Sequence, residues 1–254
     1  MKLDTTLGTP LGTPLMVPVP GATLAVWSRG VGPAVVLLHG GTGTAAHDWG
    51  HVLPTLARHA NVVAMDLRGH GMSADPGLDL GVTRFGLDVT HVMRSLGIPR
   101  AILVGFSVGG NTVLNLITSR PWLASAAIIV GASARGRPER VMEIMNGPWP
   151  RELRGLHHSG AEGDTEHWTR LRDRLAQDWA DNVRFIDTGL DAVGCPVTVV
   201  HGADDPIVDP EQARRLVSLL PDARLVEVPA TGHQVHREAP EVFIDLVREV
   251  LAGD

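Results

Sequence analysis

The chain of 254 residues has a single cysteine, Cys195, so no internal disulfide can form, and a reducing compartment fits. Cys195 stands before Pro196 at the start of an apolar run and reads as an inert buried thiol. Lysine is nearly absent as well: Lys2 stands alone among 22 basic residues, a bias toward arginine that carries no mechanism. The net charge of -6 offers nothing to nucleic acid or an anionic membrane. No run reaches the roughly 18 apolar residues that a membrane-spanning helix needs. The opening Met1-Lys2-Leu3-Asp4-Thr5 shows neither an apolar h-region nor a small-residue cleavage site, so no secretory leader is expected and a cytoplasmic location is. Twelve histidines, among them His157, His158 and His167, come without a helical His-x-x-x-His and without a cysteine partner, so no metal is expected. Gly40-Gly41-Thr42-Gly43 lacks the spacing of a dinucleotide fingerprint and no Walker sequence is present, so no cofactor is expected either.

What is present is an ordinary globular balance, 44% hydrophobic and 20% charged, in a length suited to one large domain with an insertion or to two small ones. A short tandem, Leu7-Gly8-Thr9-Pro10 then Leu11-Gly12-Thr13-Pro14, suggests a frayed or extended arm over residues 1–15. Thr23–Trp27 reads as a strand. Ala34–Leu38, Asn61–Met65, Ala101–Val104 and Ala126–Val130 are continuous apolar runs of the kind buried on both faces of a sheet. Helical patterns fall around Trp49–Ala57, from Val82 to Leu96 and over Asn111–Ile117. This alternation predicts an α/β fold with a mostly parallel, doubly wound sheet. From 132 to 190 the rhythm breaks into polar sequence with helical stretches at Glu139–Met145 and His167–Phe185, which predicts a helical insertion, a cap on a core made of 16–131 and 191–254. The strands resume at Pro196–Val200 and Arg224–Val228, with helices over 210–220 and 240–251.

Chemistry gathers at the strand ends, where active residues of such sheets collect. Gly105-Phe106-Ser107-Val108-Gly109 joins a buried strand directly to a helix. The flanking glycines make room for a tight turn, which presents the Ser107 hydroxyl beside the first free N–H groups of the helix. A serine hydroxyl is a poor nucleophile until a base takes its proton, and the base must be held in one tautomer by an acid. Asp204-Asp205 follow the strand ending at Val200, and Gly232-His233 follow the strand ending at Val228. The order Ser107, Asp205, His233 therefore sets nucleophile, acid and base on one rim. The same rim receives His39-Gly40-Gly41, whose backbone N–H would face an oxyanion together with that of Val108.

From about Val17 to Leu251 the chain resembles the α/β-hydrolase fold superfamily. The likeness rests on His39-Gly40-Gly41, Asp66-Leu67-Arg68-Gly69-His70-Gly71-Met72-Ser73, Gly105-Phe106-Ser107-Val108-Gly109, His201-Gly202-x-x-Asp205 and Gly232-His233. The resemblance implies Ser107 as nucleophile, His233 as base, Asp205 as acid, and Gly41 and Val108 as oxyanion donors. Cap length and Trp179-Ala180-Asp181-Asn182-Val183-Arg184 are similar to the biphenyl hydrolase-like (valacyclovir-type) ester hydrolases. In those enzymes an acidic residue soon after the strand preceding the cap grips the substrate's α-amino group. The corresponding stretch here, Ala132-Ser133-Ala134-Arg135-Gly136-Arg137, is basic, so preference for amino-acid esters is not carried over.

Each assignment has a rival. Asp204 competes with Asp205, and the resemblance, through the family's spacing from Gly202, implies Asp205. His236 competes with His233, and the Gly-His pair selects His233, leaving His236 as a pocket or structural residue. Asp66 and Arg68 read as braces, and His39 as a brace of the oxyanion loop or a catalytic residue. Thr42, Phe106 and Trp149 complete the candidate pocket, Phe106 also supporting the elbow from beneath. The expected activity is serine hydrolysis of a carboxylic ester, thioester or lactone of a small, largely apolar molecule. The alternatives are perhydrolase, carbon–carbon hydrolase or lyase/cyclase chemistry, or a small-molecule receptor with little turnover. The sequence leaves the oligomeric state open.

Overall fold

Eight strands pair into one sheet in the computed structural model, which describes residues 11–74, 77, 79–133, 138–147, 156, 165–182 and 189–253. They are β1 (Leu15–Val19), β2 (Ala22–Arg29), β3 (Ala34–Leu38), β4 (Asn61–Met65), β5 (Ala101–Phe106), β6 (Ala124–Val130), β7 (Val197–Gly202) and β8 (Ala223–Val228). Their order is β1-β2-β4-β3-β5-β6-β7-β8. β1 and β2 pair antiparallel, as do β2 and β4; every pairing from β4 to β8 is parallel. The expected mostly parallel sheet is found.

Alternation along the central strands divides the core in two, because successive side chains point to opposite faces. Val36, Leu38, Val63, Met65 and Leu103 join one apolar cluster. Val35, Leu37, Val62, Ala64, Ile102 and Val104 join the other. Helices α3 (Val82–Ser95) and α4 (Val108–Ser119) cover the first face. The short α1 (Ala45–Trp49) and α2 (Leu53–Leu56), with the C-terminal helix Pro240–Ala252, cover the second. On α3, Phe85, Val89, Val92 and Met93 are all buried, as a 3.6-residue period requires. Each side chain of this size taken fully out of water contributes about 1.5–3 kcal/mol.

Two expectations change. The helix read over Trp49–Ala57 is two short helices, with the break at Gly50–Val52. Residues 11–15, read as the end of a free arm, are docked instead. Leu11 is buried, Gly12 accepts a hydrogen bond from Trp27 Nε1 (2.8 Å), and Leu11 accepts one from Arg29 Nη2 (3.2 Å). A tryptophan and an arginine on β2 thus anchor the chain before β1 begins. Between β6 and β7 lie α5 (Pro138–Met145) and α6 (Thr165–Asn182), close to the predicted helices. After β7 come α7 (Pro210–Leu219), then β8, α8 (Val235–Glu238) and α9 (Pro240–Ala252).

Candidate active site

Ser107 sits between β5 and α4 with φ 51° and ψ -115°, a left-handed backbone that a non-glycine residue enters only when its surroundings force it. The surroundings do. A Cβ on Gly105 would overlap the Gly109 carbonyl, and one on Gly109 would overlap that of Leu38, so strand, turn and helix are pressed together at contact distance. The Ser107 N–H is used, donating to Val130 O at the end of β6 (2.8 Å). Val108 opens α4, so its N–H has no intrahelical acceptor.

Asp205 and His233 meet at this end of the sheet, with His233 Nδ1 2.8 Å from Asp205 Oδ2. A carboxylate only accepts, so Nδ1 carries the proton and Nε2 keeps its lone pair. The other oxygen, Asp205 Oδ1, accepts from the amides of Ile207 (2.8 Å) and Val208 (3.0 Å), which fixes the carboxylate's orientation. Burial pushes the Asp205 carboxyl up, but the bond from His233 and those two amides outweigh it and hold the acid below its ordinary range. Asp204 is exposed. The His233 ring packs against Phe106 (centroids 4.9 Å apart) and against Gly131, where a Cβ would lie 3.2 Å from Nδ1. Phe106, which precedes Ser107, and Gly131, which follows the Val130 that accepts the Ser107 N–H, thus flank the histidine.

The loops carrying Asp205 and His233 are braced by groups that sequence reasoning missed. A Cβ on Gly202 would overlap the Gly232 carbonyl, so the two loops touch. Glu238 holds the backbone on either side of His233, accepting from Gly232 N (2.7 Å) and Gln234 N (3.1 Å). Ala230, just upstream, has φ 55°, a second non-glycine residue in a strained conformation.

The loop His39–Gly43 follows β3 and abuts the start of α4 through the contact of Gly109 with the Leu38 and His39 carbonyls. Three buried side chains fix it. His39 donates from Nδ1 to Gly40 O (2.6 Å) and accepts at Nε2 from Leu67 N (2.8 Å); burial pushes its pKa down to about 3, so the ring is neutral. Asp48 Oδ2 accepts from Gly40 N (2.8 Å) while Oδ1 meets His47 Nδ1 (2.6 Å). Burial pushes the Asp48 carboxyl up, yet the partnership with His47 outweighs it and keeps the group ionised. His70 Nε2 lies 2.9 Å from Gly41 O. With its carbonyl so engaged, Gly41 keeps an N–H that has no acceptor among the described residues.

Asp66 and Arg68 are braces, as read. Asp66 accepts from Ala45 N and Met72 N, both at 2.8 Å. Fully buried Arg68 forms a bidentate pair with Asp88 at 2.9 and 2.7 Å. Phe106 is 4% exposed and supports the elbow, a Cβ on Gly40 lying only 2.7 Å from its ring. Of the two readings left to His236, its surroundings fit the structural one: the ring is fully buried between Trp49 (4.6 Å) and Phe106 (4.5 Å), and neither nitrogen has a partner among the described residues. Thr42 is half-buried beside Gly41. Trp149, read as pocket-lining, lies outside the described residues. Among the described residues Trp179 on α6 reaches the loop: a Cβ on Gly41 would overlap its ring. Its place at the end of the stripe Trp168, Leu171, Leu175 was the available signal. Cys195 is buried. Among the described residues no cluster suited to a metal occurs, and no helix is long and apolar enough to cross a membrane.

Residues 35–246 match the alpha/beta hydrolase family. The chain is 27% identical to the pyrrolizixenacetamide deacetylase of Xenorhabdus hominickii, across 94% of this chain and 98% of that protein. It is 28% identical to the 2-hydroxy-6-oxo-6-(2'-aminophenyl)hexa-2,4-dienoic acid hydrolase of Metapseudomonas resinovorans, across 88% of this chain and 85% of that one. Among solved structures, the enol-lactonase from Burkholderia xenovorans LB400 superposes with a TM-score of 0.74 at 23% identity, covering 94% of this chain and 100% of that chain. At that identity the likeness is one of fold.

Proposed function

The chain belongs to the alpha/beta hydrolase family, and from that premise we propose that it is a serine hydrolase acting on a carboxylic ester, thioester or lactone of a small, largely apolar molecule. The observation that carries the reading is the 2.8 Å contact between Asp205 Oδ2 and His233 Nδ1, the histidine packing on Phe106, which precedes a serine held at φ 51°. In this reading His233 Nε2 takes the Ser107 proton as Oγ bonds to the substrate carbonyl carbon. The charge that develops on the carbonyl oxygen is held by the N–H groups of Gly41 and Val108, and losing one such donor typically costs a factor of about 10²–10³ in kcat. The carbon–oxygen bond to the leaving group then breaks and the His233 proton passes to that oxygen. Water, deprotonated by the same nitrogen, cleaves the acyl-enzyme and returns the hydroxyl to Ser107. The segment 132–190 serves as a cap that encloses the substrate, with α6 against the oxyanion loop.

A second reading, hydrolysis of a carbon–carbon bond beside a ketone, is favoured by the likeness to the hexadienoic acid hydrolase over most of both chains. Steady turnover of p-nitrophenyl butyrate, abolished in Ser107→Ala, supports the first. Inertness toward p-nitrophenyl and thio esters, with cleavage of a vinylogous 1,5-diketone, would replace it with the second. Small-molecule binding with no turnover of any of these would sink both.

A further inference from the structure

Trp179 is set against the candidate oxyanion loop. Its ring lies on the Cα of Gly41, so closely that no residue larger than glycine fits there. The ring atoms nearest that position are Cη2 and Cζ2. With Cζ3 they form the tip of the six-membered ring, which is the part that meets the loop, and Nε1 is two bonds from Cζ2. Nε1 is buried and has no hydrogen-bond partner among the described residues.

An indole N–H removed from water without an acceptor is costly, and such groups in folded proteins are nearly always paired. The carbonyl of the residue that the ring touches, Gly41 O, already faces His70 Nε2 at 2.9 Å. The helix is held as well. Asp178, the preceding residue, accepts a hydrogen bond from Leu80 N (2.7 Å), pinning this turn of α6 to the segment before α3. Leu171, Leu175 and Ala176 on the same helix are buried in the core cluster against which Trp179 packs. Loop and tryptophan are thus both fixed, and the unfilled donor is carried on a ring that touches the candidate oxyanion loop.

We propose that Trp179 is a specificity-determining residue: its Nε1–H donates to an acceptor oxygen of the bound substrate next to the reacting carbonyl, and its ring closes the acyl side of the pocket over Gly41. The substrates so selected are acyl compounds bearing an ether, keto, hydroxyl or carboxylate oxygen close to the scissile carbonyl, in preference to plain alkanoyl chains. This inference rests on the serine hydrolase reading above and deepens it.

Butyryl and methoxyacetyl groups have nearly the same shape and differ by one methylene replaced with oxygen. The test is kcat/KM for p-nitrophenyl butyrate and p-nitrophenyl methoxyacetate with the wild type, Trp179→Phe and Trp179→Leu. Comparing each variant with the wild type cancels the intrinsic reactivity of the two esters. Trp179→Phe keeps an aromatic wall and removes the donor, so methoxyacetate should lose about three- to tenfold relative to butyrate, the worth of one hydrogen bond. Trp179→Leu removes the wall too, and preference should move toward p-nitrophenyl hexanoate over butyrate by about tenfold. A methoxyacetate-to-butyrate ratio unchanged in Trp179→Phe, with both esters still turned over, overturns the inference alone. An unchanged chain-length preference in Trp179→Leu overturns the role of the ring. If the wild type turns over none of these esters, the hydrolase reading falls and this inference with it.

Discussion

Asp48 is expected to govern activity although it lies outside the proposed trio of Ser107, Asp205 and His233. Its carboxylate is 1% exposed, accepts the Gly40 N–H at 2.8 Å and meets His47 at 2.6 Å. It also fills the concavity of the loop, since a Cβ on Gly43 would lie 2.8 Å from its Cγ. Asp48→Ala removes an ionised acceptor and leaves a buried amide unpaired, each effect worth about 1–3 kcal/mol. A total near 3 kcal/mol, at about 2–4 °C of melting temperature per kcal/mol for a chain of this size, lowers Tm by about 6–12 °C. The released loop carries Gly41, so kcat should fall toward the factor of about 10²–10³ that marks loss of one oxyanion donor, with KM changing little. Asp48→Asn keeps an oxygen for Gly40 and should restore most of kcat. Thermal melts and initial rates on p-nitrophenyl butyrate read both quantities. If Asp48→Ala is folded and its kcat stays within about twofold of wild type, the carboxylate does not hold a catalytic donor, and the reasoning about this loop is wrong.

The remaining expectations concern acid, base and braces. Asp205→Asn should lower kcat by about four orders of magnitude by leaving His233 in the wrong tautomer, while the exposed Asp204 exchanged for Asn should leave it unchanged; the opposite result would move the acid to Asp204. Burial lowers the His236 pKa from 6.5 to about 3. Between those values the unfolded chain binds a proton that the native state refuses, so this contribution to stability is complete above pH 6.5 and lost as pH falls. His236→Leu should therefore flatten the acid limb of stability by about 1.4 kcal/mol per pH unit, in urea melts from pH 7 to 5, and leave kcat largely intact. Asp88→Ala strands the buried Arg68 charge and should cost about 3–5 kcal/mol; a melt within 2 °C of wild type would show that the pair is not structural.

The parts of this molecule that were legible in its sequence share a physical cause. Ala34–Leu38 and Asn61–Met65 came out residue for residue because a strand buried on both faces admits little but aliphatic side chains. The elbow was legible because the contacts of Gly105 and Gly109 forbid any Cβ. Asp205 and His233 were legible from their places after β7 and β8. What stayed hidden depends on partners far along the chain. Nothing local distinguishes Asp48 from a solvated helix residue; only the return of the His39–Gly43 loop buries it. Gly12 and Leu11 look like frayed chain until Trp27 and Arg29 bind their carbonyls. Trp179 is one aromatic among several, and its contact with Gly41 exists only once α6 has folded over the sheet. Glu238 was nearer to view, six residues beyond the Gly232 amide that it accepts from.

The central claim is that Ser107 is an activated nucleophile. Its most direct test is intact-protein mass spectrometry after exposure of the native protein to a fluorophosphonate, followed by peptide mapping. The account expects one adduct per chain, located on Ser107, absent in Ser107→Ala and formed far more slowly in His233→Ala. A folded protein left unlabelled at Ser107, or labelled equally fast without His233, would contradict it.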